Sequence, residues 1–424
     1  MKELTINGTN VRIIREEDNF TIRAGFMIDG TTEPVQQNVN IEVNKGKISK
    51  INPVHNTMMS EVIDARNYTV IPGLIESHVH LSGMQTFDPY RRYFEPETTR
   101  LIRGLRHAEA LLAAGYTTVR DLGGKGQGGP LKLIKKEGLF VGPRILTAIE
   151  SISSTGGHGD WHVLPYKYVK ESRLRALIAD GKAECLQAVR FVIREGADVV
   201  KIHTSLGSVT NTAEDLTFVP SYSIEEIKTM CDEAHLQGKK VSTHAFGAEG
   251  IRNALLGGVD IIEHCYYDYE KNQDILPLIL EKKATIVATL SLFKWTADEG
   301  KKYQAPNSGI KLASKALIHH SRFVKLAYDM GIPIATGTDE NGVFGIARCA
   351  LECKLMVEAG IAPKEVIRAA TAIGAQTLGL DKIIGTIEPG KIPDLLILRK
   401  NPLNDIGILQ DKSNIVSVFI GANN

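Results

Sequence analysis

The hydrophobic residues of this chain follow one pattern at its two ends and another in its middle. Residues 1–66 alternate apolar and polar positions in runs such as FTIRAGFMIDG and VNIEVNKGKISKI, with NKGK as a turn. A period of two is typical of strands with one buried face. The distant segment GTIEPGKIPDLLIL has the same character. We therefore predict a small β-sandwich domain assembled from both termini, with residues 1–66 and 376–424 as its parts.

Residues 67–375 instead alternate short apolar runs with helical stretches such as IEEIKTMCDEAHLQG, which ends in a glycine typical of a helix terminus. The strand-like runs number eight: VIPGLIESHVHL, TTVRDLG, PRILTAIESI, DVVKIHTS, KKVSTHAF, VDIIEHC, ATIVATLS and IPIATGTDE. This rhythm predicts an α/β fold, a (β/α)8 TIM barrel. A doubly wound open sheet is the alternative. The glycine-rich stretch GGKGQGG follows the second run and lacks dinucleotide-binding spacing, so we interpret it as a loop.

Composition limits the class of protein. The chain has 424 residues, 43% of them hydrophobic, and its 50 Lys and Arg balance 49 Asp and Glu. This balance favours neither nucleic acid nor an anionic membrane as a partner. The five scattered cysteines form no CxxC pair, and the first residues lack an apolar leader. We expect a cytoplasmic protein whose partner is a small-molecule substrate.

Side chains able to bind metal stand at the ends of several predicted strands. In a TIM barrel these ends meet at one mouth. Histidine and carboxylate groups suit zinc or a similar divalent ion. An isolated His-x-His could be two solvent-facing residues, but the whole set favours a site. Its members are His78, His80, Lys201, His244, His264 and Asp339.

Lys201 is the unusual member, because an ammonium repels a cation. It suits a metal site if it is neutral, or if carbon dioxide converts it to an anionic carbamate that bridges two ions. The alternative is a lysine at a strand end that pairs with a glutamate or a phosphate.

The motifs that carry these residues resemble those of the amidohydrolase superfamily. They are PGLIESHVHL, TVRDLGG, STGGHGD, GADVVKIHTS, STHAFG, IIEHC, GTDENG and GTIEPGKIPDLLIL. In this order they are most similar to the prolidase-like metallodipeptidase branch, with imidazolonepropionase-related proteins nearby. The resemblance extends over nearly the whole chain. Two departures are Glu76, where the family usually has Asp, and IHTSLGS, where relatives often have a Gly-Gly loop that lines the substrate pocket.

The resemblance implies a binuclear site and a mechanism. His78, His80 and Asp339 would hold one ion, and His244 and His264 the second. Carboxylated Lys201 and a hydroxide would bridge two divalent ions, with zinc as the default. The hydroxide would attack an amide carbonyl, and Asp339 would pass the proton to the leaving nitrogen.

Other residues have weaker claims to a role. The resemblance implies that His158 binds or polarises the substrate, although it could instead order its loop. Tyr222 would hold a substrate carboxylate or pack onto the helix that Ser223 caps. His203 is a rival ligand, but we favour a pocket-lining role. Arg120 and Asp121 are expected to form a structural ion pair.

The predicted function is hydrolysis of an amide bond in dipeptides or N-acyl amino acids with a free carboxylate. A hydrolase of xenobiotic amides, carbamates, phenylureas or ochratoxin-type compounds is the main alternative. A mononuclear ring-opening hydrolase or deaminase leaves Lys201 without a task, and a non-catalytic scaffold would not need all six ligands. Pocket loops are expected at 153–170, 205–222 and 290–310, with 291–309 as a polar lid. A homo-oligomer is also expected.

Overall fold

A computed structural model describes residues 1–53, 61–83, 86–162, 164–173, 175–207 and 218–422. The strands are β1 (Lys2–Ile6), β2 (Thr9–Ile14), β3 (Phe20–Met27), β4 (Gln36–Asn44), β5 (Lys47–Pro53), β6 (Val62–Pro72), β7 (Leu74–Val79), β8 (Tyr116–Asp121), β9 (Arg144–Thr147), β10 (Ser151–Ser153), β11 (Ala176–Ile178), β12 (Val199–His203), β13 (Lys240–Phe246), β14 (Ile261–Tyr266), β15 (Thr285–Val287), β16 (Ile334–Ala335), β17 (Leu395–Leu398) and β18 (Ile415–Gly421). The helices are α1 (Pro89–Phe94), α2 (Glu97–Ala113), α3 (Gly128–Lys136), α4 (Tyr166–Ser172), α5 (Gly181–Arg194), α6 (Ile224–Leu236), α7 (Ala248–Gly257), α8 (Ile275–Lys282), α9 (Leu290–Glu299), α10 (Asn307–Asp329), α11 (Leu351–Glu358), α12 (Pro363–Arg368) and α13 (Gly374–Leu378).

Strands from the two ends of the chain pair in one mixed sheet, in the order β1-β2-β18-β17-β6-β3-β4-β5. The C-terminal strands β17 and β18 are inserted between β2 and β6. Phe20 on β3 stacks on Phe419 on β18, with ring centroids 6.0 Å apart, although two strands separate β3 from β18 in the sheet. One continuous sheet therefore curls around its own apolar core, where the sequence predicted a sandwich of two sheets. Position 66, the predicted end of the N-terminal part, lies inside β6.

The middle of the chain forms two parallel sheets, β11-β10-β12-β13-β14-β15-β16 and β7-β8-β9. Each of the eight predicted strand-like runs contains a strand. The third run contains two, β9 and β10, because the chain bends at Ile149, whose φ is 64°. β11 is an additional strand beside β10.

Backbone hydrogen bonds connect these two sheets on both sides. On one side the amide of Ser77 donates to the carbonyl of Thr336 (3.1 Å), and the amide of Asp339 donates to the carbonyl of His78 (2.8 Å). On the other side the amide of Asp198, before β12, donates to the carbonyl of Thr147 at the end of β9 (2.8 Å). The carboxyl ends of β7, β12, β13, β14 and β16 consequently face one common region.

The segment 291–309, expected to be a polar loop, is mostly helical, because α9 extends to Glu299 and α10 begins at Asn307. Leu292, Phe293 and Trp295 of α9 are buried, and Trp295 packs on Phe344 with ring centroids 6.2 Å apart. Charged and polar residues around these apolar positions obscure the helical period, and for that reason the sequence predicts a polar loop. No helix in the described part of the chain is both long and apolar enough to cross a membrane.

Candidate metal centre

His78, His80 and Asp339 form a compact group at the ends of β7 and β16. Nε2 of His80 lies 3.1 Å from Oδ1 of Asp339, and Nε2 of His78 lies 3.4 Å from the same oxygen. One ligand atom from each residue falls within 4.8 Å of the other two. Two imidazoles and a carboxylate at this spacing fit a divalent ion such as zinc.

Hydrogen bonds fix the orientation of both rings. Nδ1 of His78 donates to Oε2 of Glu263 (2.8 Å), and Nδ1 of His80 donates to the carbonyl oxygen of Gly123 (2.6 Å). In the neutral form of each ring, Nε2 is then the unprotonated nitrogen, which is the form that binds metal. Burial, together with the nearby Lys201, lowers the pKa of His78 to about 4, so this ring is neutral at neutral pH.

His244 and His264 lie beside this group, on β13 and β14. Their ring centroids are 4.7 Å apart, and the His264 ring is 5.2 Å from that of His78. Nδ1 of His264 hydrogen-bonds Oγ1 of Thr289 (2.8 Å), and Nε2 of His244 hydrogen-bonds the carbonyl oxygen of Gly207 (2.9 Å). Burial and Lys201 lower the pKa of His244 to about 3. A second pair of neutral imidazoles is thus present.

A backbone irregularity sets the position of His264. The register between β13 and β14 shifts between Ala245 and Phe246, and His264 and Cys265 have φ angles of 68° and 54°. Non-glycine residues seldom adopt positive φ, and such strain concentrates at functional sites.

Lys201 points from β12 into the same cavity and is almost completely buried. Its Nζ has no hydrogen-bond partner among the described residues. Burial lowers the pKa of the amine to about 8, which keeps a fraction uncharged near neutral pH. This buried amine lies among four histidines and an aspartate and has no hydrogen-bond partner among the described residues. Such an arrangement fits a metal site that the lysine completes better than a structural ion pair.

Asp339 is ionised in spite of its burial. Burial by itself would raise the pKa of the carboxyl, but the nearby His78, His80 and Lys201 hold the pKa below its usual value. The residue has a φ of 56°, a strained conformation that the hydrogen bond to the His78 carbonyl helps to retain.

A second wall of the cavity carries His158, Arg175 and His203. Nη2 of Arg175 lies 2.6 Å from Nε2 of His158, and the His158 ring stacks on His244 with centroids 4.0 Å apart. A guanidinium can only donate, so Nε2 of His158 accepts and Nδ1 carries the hydrogen. Nδ1 of His158 and Nδ1 of His203 have no hydrogen-bond partner among the described residues. This wall therefore offers polar groups to a ligand.

Tyr222 lies elsewhere. Its buried hydroxyl donates to the carbonyl oxygen of Ala179 (2.9 Å), and it does not line the cavity. The carboxylate-binding role that the resemblance implied for Tyr222 therefore has no support, and the packing alternative describes its position. Residues 208–217 of the predicted pocket loop 205–222 lie outside the described residues.

Glu263 is a site residue that the sequence analysis missed. Its carboxylate accepts from His78 and from Nη2 of Arg120 (2.6 Å), and Ser242 Oγ also donates to it. The expected pair of Arg120 with Asp121 is therefore wrong, because strand neighbours point to opposite faces; Asp121 instead accepts from the amide of Leu81 (3.0 Å). In the sequence, Glu263 is a charged residue inside the apolar run VDIIEHC, and this position is the signal that could have identified it.

His107 on α2 and His320 on α10 are buried and hydrogen-bonded. Nε2 of His107 contacts Oε1 of Glu340 (2.5 Å), and Nε2 of His320 donates to the carbonyl of Ala288 (2.7 Å). Glu340 also accepts from the amides of Ala347 and Arg348, so it orders the loop that follows Asp339.

Comparisons with known proteins place the chain in a family. Residues 69–424 match the amidohydrolase family model. The chain is 31% identical to ochratoxinase from Aspergillus niger over 427 residues, covering 94% of this chain and 85% of that protein.

Similarity to solved structures supports the same family. A Xaa-Pro dipeptidase with bound methionine superposes with a TM-score of 0.83 at 30% identity, covering 94% of this chain and 97% of that chain. A prolidase complexed with N-methylphosphonate-L-proline gives 0.85 at 26% identity, covering 96% and 99%. These likenesses imply a TIM-barrel-type fold with a sheet domain. The chain belongs to the amidohydrolase family, in its prolidase-like branch, and is a hydrolase of carbon–nitrogen bonds.

Proposed function

We propose that this protein is a binuclear metal-dependent amidohydrolase that cleaves the amide bond of dipeptides or N-acyl amino acids. We also infer that its two parallel sheets form one closed (β/α)8 barrel. The observation that carries the proposal is the buried amine of Lys201, without a hydrogen-bond partner among the described residues, beside His78, His80, His244 and His264.

The residues present fit two divalent ions. His78, His80 and Asp339 would hold one, His244 and His264 the other, and Lys201, carboxylated by carbon dioxide, would contribute to both. When bound, zinc or a similar ion supplies Lewis acidity and lowers the pKa of water from 15.7 to about 7. Carboxylation requires a neutral amine, and the lowered pKa of Lys201 provides one.

Asp339 is the residue we propose to move the proton. Its carboxylate is ionised and lies against His78 and His80, so it can accept a proton from water at the start of the reaction. An amine is a far better leaving group than an amide anion. Asp339 would therefore deliver the proton to the departing nitrogen.

The second wall of the cavity supports a substrate with a free carboxylate. Arg175 brings one positive charge, and His158 and His203 each present a buried Nδ1. Burial lowers the pKa of both imidazoles well below its usual value, so they are neutral. One cation and a neutral imidazole N–H match a single carboxylate.

A xenobiotic amide hydrolase with the same chemistry is the second candidate. The 31% identity with a protein named ochratoxinase favours it. A phenylurea hydrolase superposes with a TM-score of 0.76, but its 20% identity supports the fold alone. A non-catalytic scaffold is disfavoured because all six ligand side chains are retained. Cytoplasmic location and a homo-oligomer remain predictions.

The test is a product screen by mass spectrometry on zinc-supplemented protein. The substrates are L,L-dipeptides, N-acyl amino acids and aryl ureas, with Lys201→Ala as an inactive control. Cleavage of dipeptides or N-acyl amino acids by the unmodified protein alone supports the proposal. Cleavage of ureas alone would instead support the second candidate, a xenobiotic amide hydrolase.

The carboxylate is tested separately with Arg175→Met. We expect KM for free-acid substrates to rise about 10- to 100-fold, the value of a charge-assisted hydrogen bond, with little change for the corresponding C-terminal amides. Arg190→Met is the matched control, because Arg190 pairs with Glu233 on the helix surface. Equal KM values for acids and amides in the unmodified protein would contradict carboxylate recognition.

A further inference from the structure

The carboxylate of Glu263 is completely buried and connects four strands. It accepts from His78 on β7, from Arg120 on β8 and from Ser242 on β13, while Glu263 itself belongs to β14. Nε of Arg120 also donates to the carbonyl oxygen of Ser77, next to His78, at 2.6 Å. One ion pair thus holds both the ring of His78 and the main chain beside it.

Among the four histidines of the candidate metal centre, His78 differs in the partner of its second nitrogen. The partners of His80, His244 and His264 are neutral: a carbonyl of Gly123, a carbonyl of Gly207 and the hydroxyl of Thr289. A carboxylate that accepts from the distal N–H makes an imidazole a stronger metal ligand than a neutral acceptor does.

From these contacts we propose that Glu263, supported by Arg120, is a positioning residue that sets the tautomer, orientation and metal-binding strength of His78. The proposal rests on the proposed metal centre. Glu263 does not reach the cavity: it is fully buried and is not among the lining residues. Among the candidate ligands it hydrogen-bonds His78, and its negative charge also opposes the lowering of the Lys201 pKa.

The charges explain why an arginine accompanies the glutamate. A carboxylate in a dry interior is stable only if it is paired and hydrogen-bonded. Arg120 neutralises Glu263. The Arg120 side chain is almost completely buried and does not line the cavity, so its positive charge does not face the proposed ions. The two variants that break this pair should therefore differ. Loss of Glu263 leaves an unpaired cation behind His78, whereas loss of Arg120 leaves the anion in place to accept from His78.

The experiment measures zinc affinity of the metal-free full-length protein by competition with a chromophoric chelator, together with thermal midpoints. For Glu263→Gln we expect the Kd for zinc to rise about 10- to 100-fold. Arg120→Met should lose less zinc affinity than Glu263→Gln, although both break the same pair. Glu233→Gln is the matched control, because Glu233 pairs with Arg190 away from the cavity.

The proposal is overturned if Glu263→Gln and Arg120→Met lower the thermal midpoint but leave the zinc Kd unchanged, because the pair would then be only structural. If the unmodified protein does not bind zinc, the proposed metal centre is overturned as well. Zinc binding by the unmodified protein therefore distinguishes failure of the Glu263 proposal from failure of the metal centre. If Glu263→Gln does not fold, the tautomer of His78 is measured instead from its ring ¹⁵N chemical shifts in the unmodified metal-free protein. The signals are assigned by comparison with His78→Gln. A hydrogen on Nδ1 supports the proposal, and one on Nε2 contradicts it.

Discussion

At the scale of single residues, the candidate metal centre depends on which ring nitrogen each histidine has free. His78, His80 and His264 use Nδ1 for a protein contact, whereas His244 uses Nε2. These contacts orient each ring before any ion binds, so binding costs little side-chain entropy. The free nitrogens of His78 and His80 both face Asp339.

Asp339→Asn should lower kcat for amide hydrolysis by at least about 10²- to 10⁴-fold, because the amide cannot take up and return a proton. The measurement is steady-state turnover of a cleaved dipeptide, with metal content determined on the same samples. Asp232→Asn, which removes a carboxylate paired with Lys228 on the exposed face of α6, is the control. Turnover within a few-fold of normal at full metal content would rule out the proton-transfer role.

At the scale of elements, one buried carboxylate joins α11 to the start of α9. Oε1 and Oε2 of Glu352 accept from the amides of Leu290 and Ser291, at 2.9 and 2.8 Å. These are amides of the first turn of α9, which have no partner within the helix. Burial raises the pKa of Glu352 from 4.5 to about 7, even though these hydrogen bonds oppose the shift.

The raised pKa predicts a specific pH dependence of stability. The folded protein binds the Glu352 proton more tightly than the unfolded chain, so the contribution is complete below pH 4.5 and is lost as pH rises to about 7 and beyond. The loss amounts to at most about 3 kcal/mol. Urea unfolding at pH 5 and pH 8 should show this decline in the unmodified protein relative to Glu352→Gln.

Glu358→Gln on the same helix is the control for this pH dependence, because Glu358 is exposed and pairs with Lys354 at 3.7 Å. An identical pH profile for the unmodified protein and Glu352→Gln would show that Glu352 is ionised in the folded state throughout.

At the scale of the whole molecule, Asp394 joins the curled terminal sheet to the parallel strands. Its Oδ2 accepts from Arg144 of β9 (2.9 Å), and its Oδ1 accepts from the amide of Gly421 (3.0 Å). Its carbonyl accepts from the amide of Gly73, between β6 and β7 (2.8 Å). The candidate metal centre begins only five residues after Gly73, so this junction helps to fix β7.

Metal should stabilise the whole fold. The proposed ligands come from strands distant in sequence, so an ion binds the folded chain and not the unfolded one. Zinc at 100 times its Kd should add about 2.7 kcal/mol to the free energy of unfolding. Differential scanning calorimetry with zinc and with excess chelator tests this. Superimposable thermal transitions would contradict a metal centre in the folded state.

Local elements could be predicted from the sequence because their signals are local. Ser223 was predicted to cap α6, and its side chain accepts from the amide of Glu226, whose own carboxylate accepts from the amide of Ser223. The eight strand-like runs each contain a strand for the same reason. The helical period of α9 was missed because polar residues interrupt it.

By itself, the sequence determined the strand-like runs, the helix boundaries near glycine and serine, and the six candidate metal ligands at strand ends. Spacing along the chain controls backbone conformation and the face on which a side chain lies. Only the tertiary structure decided that Arg120 pairs with Glu263, which is 143 residues away, and that Tyr222 bonds Ala179 outside the cavity. The physical reason is that partners in a buried polar network are selected by distance in space, which periodicity does not encode.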